Sequence, residues 1–204
     1  MLIYIEYISR RPGISIEHFH AIAGAGQNGW ADQYSDDQLI VNLGRTWRIG
    51  PEPEYLAVWL NRSTGLERLG QWENEFNSGN ADAFEKPMEV VGRLDRAGCY
   101  RPLREPVPGI TGPYYVEYLD FAEGATTDQV AEFFEKRASA HPDLTLHVVA
   151  DRIGHLGPDP RCVAVWGLPA YEALQDIAEE LEDGTAPVVL HTAGVYANLG
   201  DEIL

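Results

Sequence analysis

Cysteine is nearly absent: Cys99 and Cys162 are the only two in 204 residues, too few for a disulfide framework, so the fold must rest on its core. Cations are also scarce. Fifteen Lys and Arg face 32 Asp and Glu, a formal net charge of −17. A surface that acidic repels phosphate backbones and anionic headgroups, which argues against nucleic acid and membranes as partners. No apolar run approaches the roughly 20 residues needed to span a bilayer. The start, Met1-Leu2-Ile3-Tyr4-Ile5-Glu6, has neither a basic leader nor an apolar signal core. The expectation is a cytoplasmic protein. Also missing are Gly-x-Gly-x-x-Gly after a strand, a Gly-Lys-Ser/Thr phosphate loop, His-Glu-x-x-His and Cys-x-x-Cys. Nucleotide cofactors and structural zinc are therefore unsupported, and the expectation is no metal and no cofactor.

What the chain does have is a repeat. Gly50-Pro51-Glu52-Pro53 leads into Tyr55-Leu56-Ala57-Val58-Trp59, and Gly157-Pro158-Asp159-Pro160 leads into Cys162-Val163-Ala164-Val165-Trp166, a displacement of 107. Each reads as a proline-rich hairpin entering a strand. Tyr4-Ile5-Glu6-Tyr7 returns as Tyr115-Val116-Glu117-Tyr118 at a displacement of 111, which also sets Gly124 on Gly13 and Thr126 on Ser15. Ala97-Gly98-Cys99-Tyr100 returns as Ala193-Gly194-Val195-Tyr196 at 96. The first half thus carries about four extra residues in its first loop and about eleven more before its last strand.

Within each half the order reads strand, helix, strand, strand, helix, strand. Ser15 and Thr126 are helix N-caps, the latter in a capping box with Gln129, and Ser63 is the cap expected for the second helix. Residues 24–37 read as a loop and candidate lid, and 81–91 as a helical piece broken at Pro87. Residues 104–112, rich in proline and glycine, read as a linker between repeats at 1–103 and 113–204. The fold class is α+β, with tandem ferredoxin-like βαββαβ units packed sheet to sheet. The space between the sheets is the expected ligand site.

These motifs, with Glu17-His18-Phe19-His20 at the start of the first helix, resemble the dimeric α/β-barrel superfamily, and within it the NIPSNAP-like and EthD-like members. The resemblance implies a pseudo-dimeric barrel in one chain. The superfamily includes cofactor-free monooxygenases, cyclases, isomerases, lyases, haem enzymes and proteins of no known activity, so the resemblance transfers no catalytic set.

Strand alternation separates Ile3, Ile5 and Tyr7 from Tyr4, Glu6 and Ile8. The apolar set is expected under the helices, which turns Tyr4 and Glu6, and by the repeat Tyr115 and Glu117, toward the cavity. A buried carboxylate beside a phenol is an acid/base pair, because desolvation raises a Glu pKa toward neutrality. The bland alternative pairs each Glu with a strand-two arginine, Arg45 or Arg152. His147 and His155 fall on the more polar face of the second half's strand two, in slots held by Ile40 and Arg48 in the first half. They and His20 are candidate bases; the alternative for each is a hydrogen-bonded or exposed histidine. Trp59 and Trp166 alternate with Ala57 and Ala164 and offer an aromatic wall or plain core, with Asn42 and Trp30 as further ligand contacts.

The expected function is a cofactor-independent enzyme, of lyase, isomerase, cyclase or monooxygenase type, moving a proton on an apolar or aromatic carbonyl compound. The alternatives are a non-catalytic binding module for a hydrophobic metabolite and a haem protein. Free sheet edges would let two chains form a homodimer.

Overall fold

The computed structural model describes residues 1–199 except 47, 48, 52, 63, 64, 110, 111, 182 and 183, and the side chain of residue 176. The Ser63 cap, the Arg48 slot, Glu52 of the first hairpin and Ile110 and Thr111 of the linker lie outside the described residues.

The first half runs β1 (Leu2–Arg10), α1 (Ile16–Gln33), β2 (Asp37–Arg45), β3 (Tyr55–Asn61), α2 (Glu67–Ser78), α3 (Asp82–Val91) and β4 (Gly92–Pro102). The second runs β5 (Pro113–Phe121), α4 (Thr127–Ala140), β6 (Thr145–Arg152), β7 (Cys162–Gly167), α5 (Leu174–Ala178) and β8 (Val188–Asn198). All pairings are antiparallel, and the circuit β1-β3-β2-β8-β5-β7-β6-β4 closes into a barrel. The halves meet edge to edge, β2 on β8 and β4 on β6. Each closing seam is short, three residue pairs between β2 and β8 and three between β4 and β6.

The interior is a packed core, which corrects the expectation of a cavity between the sheets. Ile3, Ile5 and Tyr7 point inward with Leu56, Val58, Val116, Val163 and Val165, all buried. At the centre Tyr7 and Tyr100 share a hydrogen bond of 3.3 Å, and their counterparts Tyr118 and Tyr196 one of 3.0 Å. A closed small barrel has room only for side chains, and its dry interior takes the apolar member of each alternation. Tyr4, Glu6 and Ile8 consequently face outward, beneath the helices.

The repeated hairpin ties the halves together. Gly50 has φ +126°, and a Cβ there would lie 2.6 Å from the α-carbon of Gly194 on β8; Gly157 has φ +146° and would meet the α-carbon of Gly98 on β4 at 2.7 Å. Thr46 and Ile49 bond the backbone of Val195, while Ile153 and Leu156 bond that of Cys99. Arg45 donates to the Gly50 carbonyl and Arg152 to the Gly157 carbonyl, at 2.8 and 3.0 Å. The strand-two arginines thus serve the hairpins and not Glu6 or Glu117.

Two of the three expected caps form: Ser15 accepts from the His18 amide, and Thr126 and Gln129 make the capping box. The candidate lid is instead helix, since α1 continues to Gln33. Gly29 is a contact point: a Cβ there would lie 2.7 Å from the Phe84 ring of α3. Helix α3 in turn runs unbroken through Pro87. Helix α2 begins at Glu67, later than a Ser63 cap would have it.

Candidate functional site

The two insertions of the first half build a cavity. Helix α1 has 18 residues and α4 has 14, so the four extra residues add one turn, which carries Trp30. The longer insertion supplies α3, with Phe84 and Met88. Between these helices and the outer face of β1 and β3 lies a cavity of about 470 Å³. Its walls are aromatic, with Tyr4, Trp30, Trp59, Trp72, Phe76 and Phe84 exposed to it. Tyr4 and Trp72 pack at 4.8 Å between ring centroids, and Trp30 stacks on Phe76 at 5.7 Å.

One buried acid holds the wall in place. Asp37 opens β2 and is only 2% exposed. It accepts from Trp30 Nε1 at 3.0 Å, Trp72 Nε1 at 2.9 Å, Arg68 Nη2 at 2.6 Å and Asn61 Nδ2 at 2.8 Å. Burial pushes Asp37 up, but the donations from Arg68, Trp72, Asn61 and Trp30 outweigh it and hold the acid below its usual value.

Glu6 is the floor. On the outer face it aligns with Ala97, Ala57 and Asn42 on neighbouring strands, two alanines that leave space around the carboxylate. Trp59 Nε1 donates to Glu6 Oε2 at 3.0 Å, and among the described residues no cationic side chain pairs with it. Its remaining accessible surface opens onto the cavity. Burial raises its pKa, and the Trp59 bond offsets part of the rise. Tyr4 is also raised, by burial first and then by Glu6 and Cys99, so its phenol stays protonated. Asn42 does not reach the cavity; it bonds Gln27 of α1, and Gln27 lines the wall.

The second half has the same carboxylate in a closed setting. Glu117 is fully buried, with Trp166 Nε1 at 2.9 Å and Arg137 Nη1 at 2.7 Å, both on Oε2. Burial pushes Glu117 up, and Arg137 and Trp166 offset part of the rise. Tyr115, Phe134, Trp166 and Ile177 fill the volume that is open in the first half. Tyr115, Glu117 and Trp166 are therefore core, where a ligand-facing role was expected of them.

The histidines do not converge on Glu6. His147 sits at a β-bulge in β6, with Nδ1 2.7 Å from the Val107 carbonyl, where it anchors the segment that crosses from β4 to β5. Burial holds it below the usual imidazole value, partly countered by that bond. His155 is exposed in the turn after β6, which ends at Arg152, so the strand alternation that placed it inward does not extend that far. His20 lies half-buried edge-on to Tyr55, outside the cavity lining. Missed from sequence were Trp72, Phe84, Asp37 and Gln27, and the lack of a counterpart for Trp30 and Trp72 in the second half was the available signal.

Searches with the sequence find no matching family model and no matching curated protein. Solved structures do match. A mutant chlorite dismutase from Candidatus Nitrospira defluvii in complex with cyanide superposes with a TM-score of 0.57 at 9% identity, over 98% of this chain and 91% of that one. The fold is a dimeric α/β barrel. A protein assigned as a monooxygenase from Lactobacillus acidophilus NCFM gives 0.59 at 11% identity, over 97% and 92% of the two chains. The encapsulated DyP-type peroxidase from Mycobacterium smegmatis gives 0.55 at 9%, over 98% and 94%. At these identities the likeness carries the fold and no activity.

The cavity lining lacks the histidine that a haem iron would need. The six histidines of the sequence, His18, His20, His141, His147, His155 and His191, all lie outside the cavity lining, so it offers no imidazole to an iron. Among the described residues, no three His, Cys, Asp or Glu side chains are placed to hold a metal ion, and no helix is long and apolar enough to cross a membrane.

Proposed function

We propose that the first half of the chain is an acid/base catalyst for an apolar or aromatic carbonyl compound held in the cavity over Glu6. The observation that carries this is Glu6 itself: a carboxylate raised by burial, steadied by a single indole N–H, at the bottom of an aromatic chamber. A raised carboxylate is a usable base near neutral pH. Glu6 would take a proton from the carbon beside the carbonyl, and the protonated Tyr4 would donate a hydrogen bond to the oxygen as it gains charge. Return of the proton at a different atom gives isomerisation, and loss of a β-substituent gives elimination.

The reading requires no bound cofactor from the chain. It keeps the resemblance to NIPSNAP-like and EthD-like proteins, a division of the chain at 104–112 and a cytoplasmic setting as parts of the same proposal.

The test is exchange of acidic C–H groups for deuterium, followed by NMR, on a panel of aryl ketones in D2O. The wild type should accelerate exchange for at least one member, and E6Q should lose about 10²–10⁴-fold of that acceleration. H147A should retain it, because His147 belongs to the linker anchor. Full activity in E6Q would overturn the assignment. Quenching of tryptophan emission by a panel member with no exchange would instead make the cavity a binding module.

A further inference from the structure

The second half shows which group the first half's carboxylate is missing. Counting from the N-caps Ser15 and Thr126, residue eleven of the helix is Gly26 in α1 and Arg137 in α4. Phe19 and Ala23 likewise match Val130 and Phe134, and all four are buried against the sheet, so the register is the same.

In the second half, the Arg137 guanidinium sits on Glu117 Oε2 at 2.7 Å and 5.1 Å from the Trp166 ring centroid. In the first half, Glu6 and Trp59 repeat the carboxylate and the indole, but the helix supplies no side chain. A Cβ on Gly26 would meet nothing closer than 3.6 Å, so this glycine is not forced by crowding. The space where a guanidinium would lie belongs to the cavity, which Gly26 lines.

We propose that this cavity takes an aromatic or apolar molecule carrying a protonated nitrogen, whose N–H group rests on Glu6 as Arg137 rests on Glu117. The inference builds on the reading of the cavity as the binding site and names its ligand class. Three further observations fit a cation. The chamber is lined by Tyr4, Trp30, Trp59 and Trp72, and aromatic rings attract ammonium groups within about 6 Å. The lining also carries Glu85 and Glu89 against Arg11, which bonds the carbonyls of Glu89 and Gly92, and Arg93, which Asp95 neutralises, so with Glu6 it is net acidic. The net charge of −17 would draw cations toward the protein and slow anions.

The second half also shows which oxygen such a pairing uses. Arg137 and Trp166 both use Glu117 Oε2, and Oε1 has no hydrogen-bond partner. A ligand nitrogen beside Trp59 on Glu6 Oε2 would leave Oε1 without a partner, as it is on Glu117.

Calorimetric titration with phenethylamine, phenethyl alcohol and hydrocinnamate tests this at neutral pH. The amine should bind at least about tenfold tighter than the alcohol, and the carboxylate weakest of all. In E6Q the amine should lose that advantage while the alcohol binds as before. G26R should block the amine by placing a guanidinium on Glu6, and should raise the melting temperature. Equal binding of amine and alcohol by the wild type would overturn the inference and leave the cavity standing as the binding site. No binding of any of the three by folded protein would overturn both.

Discussion

Trp30 and Trp72 donate their indole N–H groups to one and the same oxygen, Oδ2 of Asp37, at 3.0 and 2.9 Å. Two walls of the cavity, one from α1 and one from α2, are thereby fixed to the start of β2 by a single carboxylate, with Arg68 balancing its charge. Residues that shape the chamber are thus positioned by one that does not line it.

Asp37 is therefore a stability residue with a binding phenotype. D37A should cost about 3–5 kcal/mol, because it leaves the buried Arg68 uncompensated. It should also loosen ligand affinity by freeing both tryptophans. Urea denaturation reads the first effect, and titration of D37A with phenethylamine below its unfolding range reads the second.

The pH dependence of stability carries the signature of Glu6. Its folded pKa lies above the unfolded value, so the folded state holds an extra proton between the two. The stabilisation is complete below the unfolded value of about 4.3 and is lost as pH rises through the folded value. E6Q should show a shallower fall in stability across that window than the wild type. Chemical denaturation at several pH values makes the comparison.

Glu117 and Arg137 should behave as a coupled pair. Their side chains are 1% and 3% exposed, so R137M should cost about 3–5 kcal/mol by stranding the Glu117 charge, and E117L less, because Glu180 still pairs with Arg137 at 2.6 Å. The double variant should recover much of the loss, since an apolar pair of similar volume suits the site as well. A double-mutant cycle measures the coupling; additive losses would contradict a buried pair.

The hairpin glycines should tolerate no side chain. G50A and G157A each push a methyl group to within 2.7 Å of a facing backbone and impose a left-handed conformation on alanine. Each should cost at least about 1–3 kcal/mol, the usual range for overpacking, read from thermal or urea unfolding.

The fold was legible because the chain states it twice. The Tyr-x-Glu-Tyr strands, the two caps and the Gly-Pro hairpins are local signals, and each occupies the element that it predicts. The site was legible only in part. Tyr4, Glu6, Trp59 and Trp30 line the cavity, yet on the opposite side of the sheet from the one expected. Alternation tells which residues share a face, and not which face is dry. In a closed barrel the interior is the drier side and claims Ile3, Ile5 and Tyr7. His155 and the lid fail for other reasons. A strand's end depends on its pairing partner, and Gly29 looks like a loop residue until the Phe84 ring of a second helix packs on it.

Gly26 and Arg137 have a consequence for how such a chain can change over time. In a dimer of identical chains, any change at this helix position occurs twice, so opening one chamber would remove two buried ion pairs at once. Joining the two copies in one polypeptide halves that loss. One half can keep its Glu–Arg pair as ballast while the other is free to trade the same arginine for empty space and a guest.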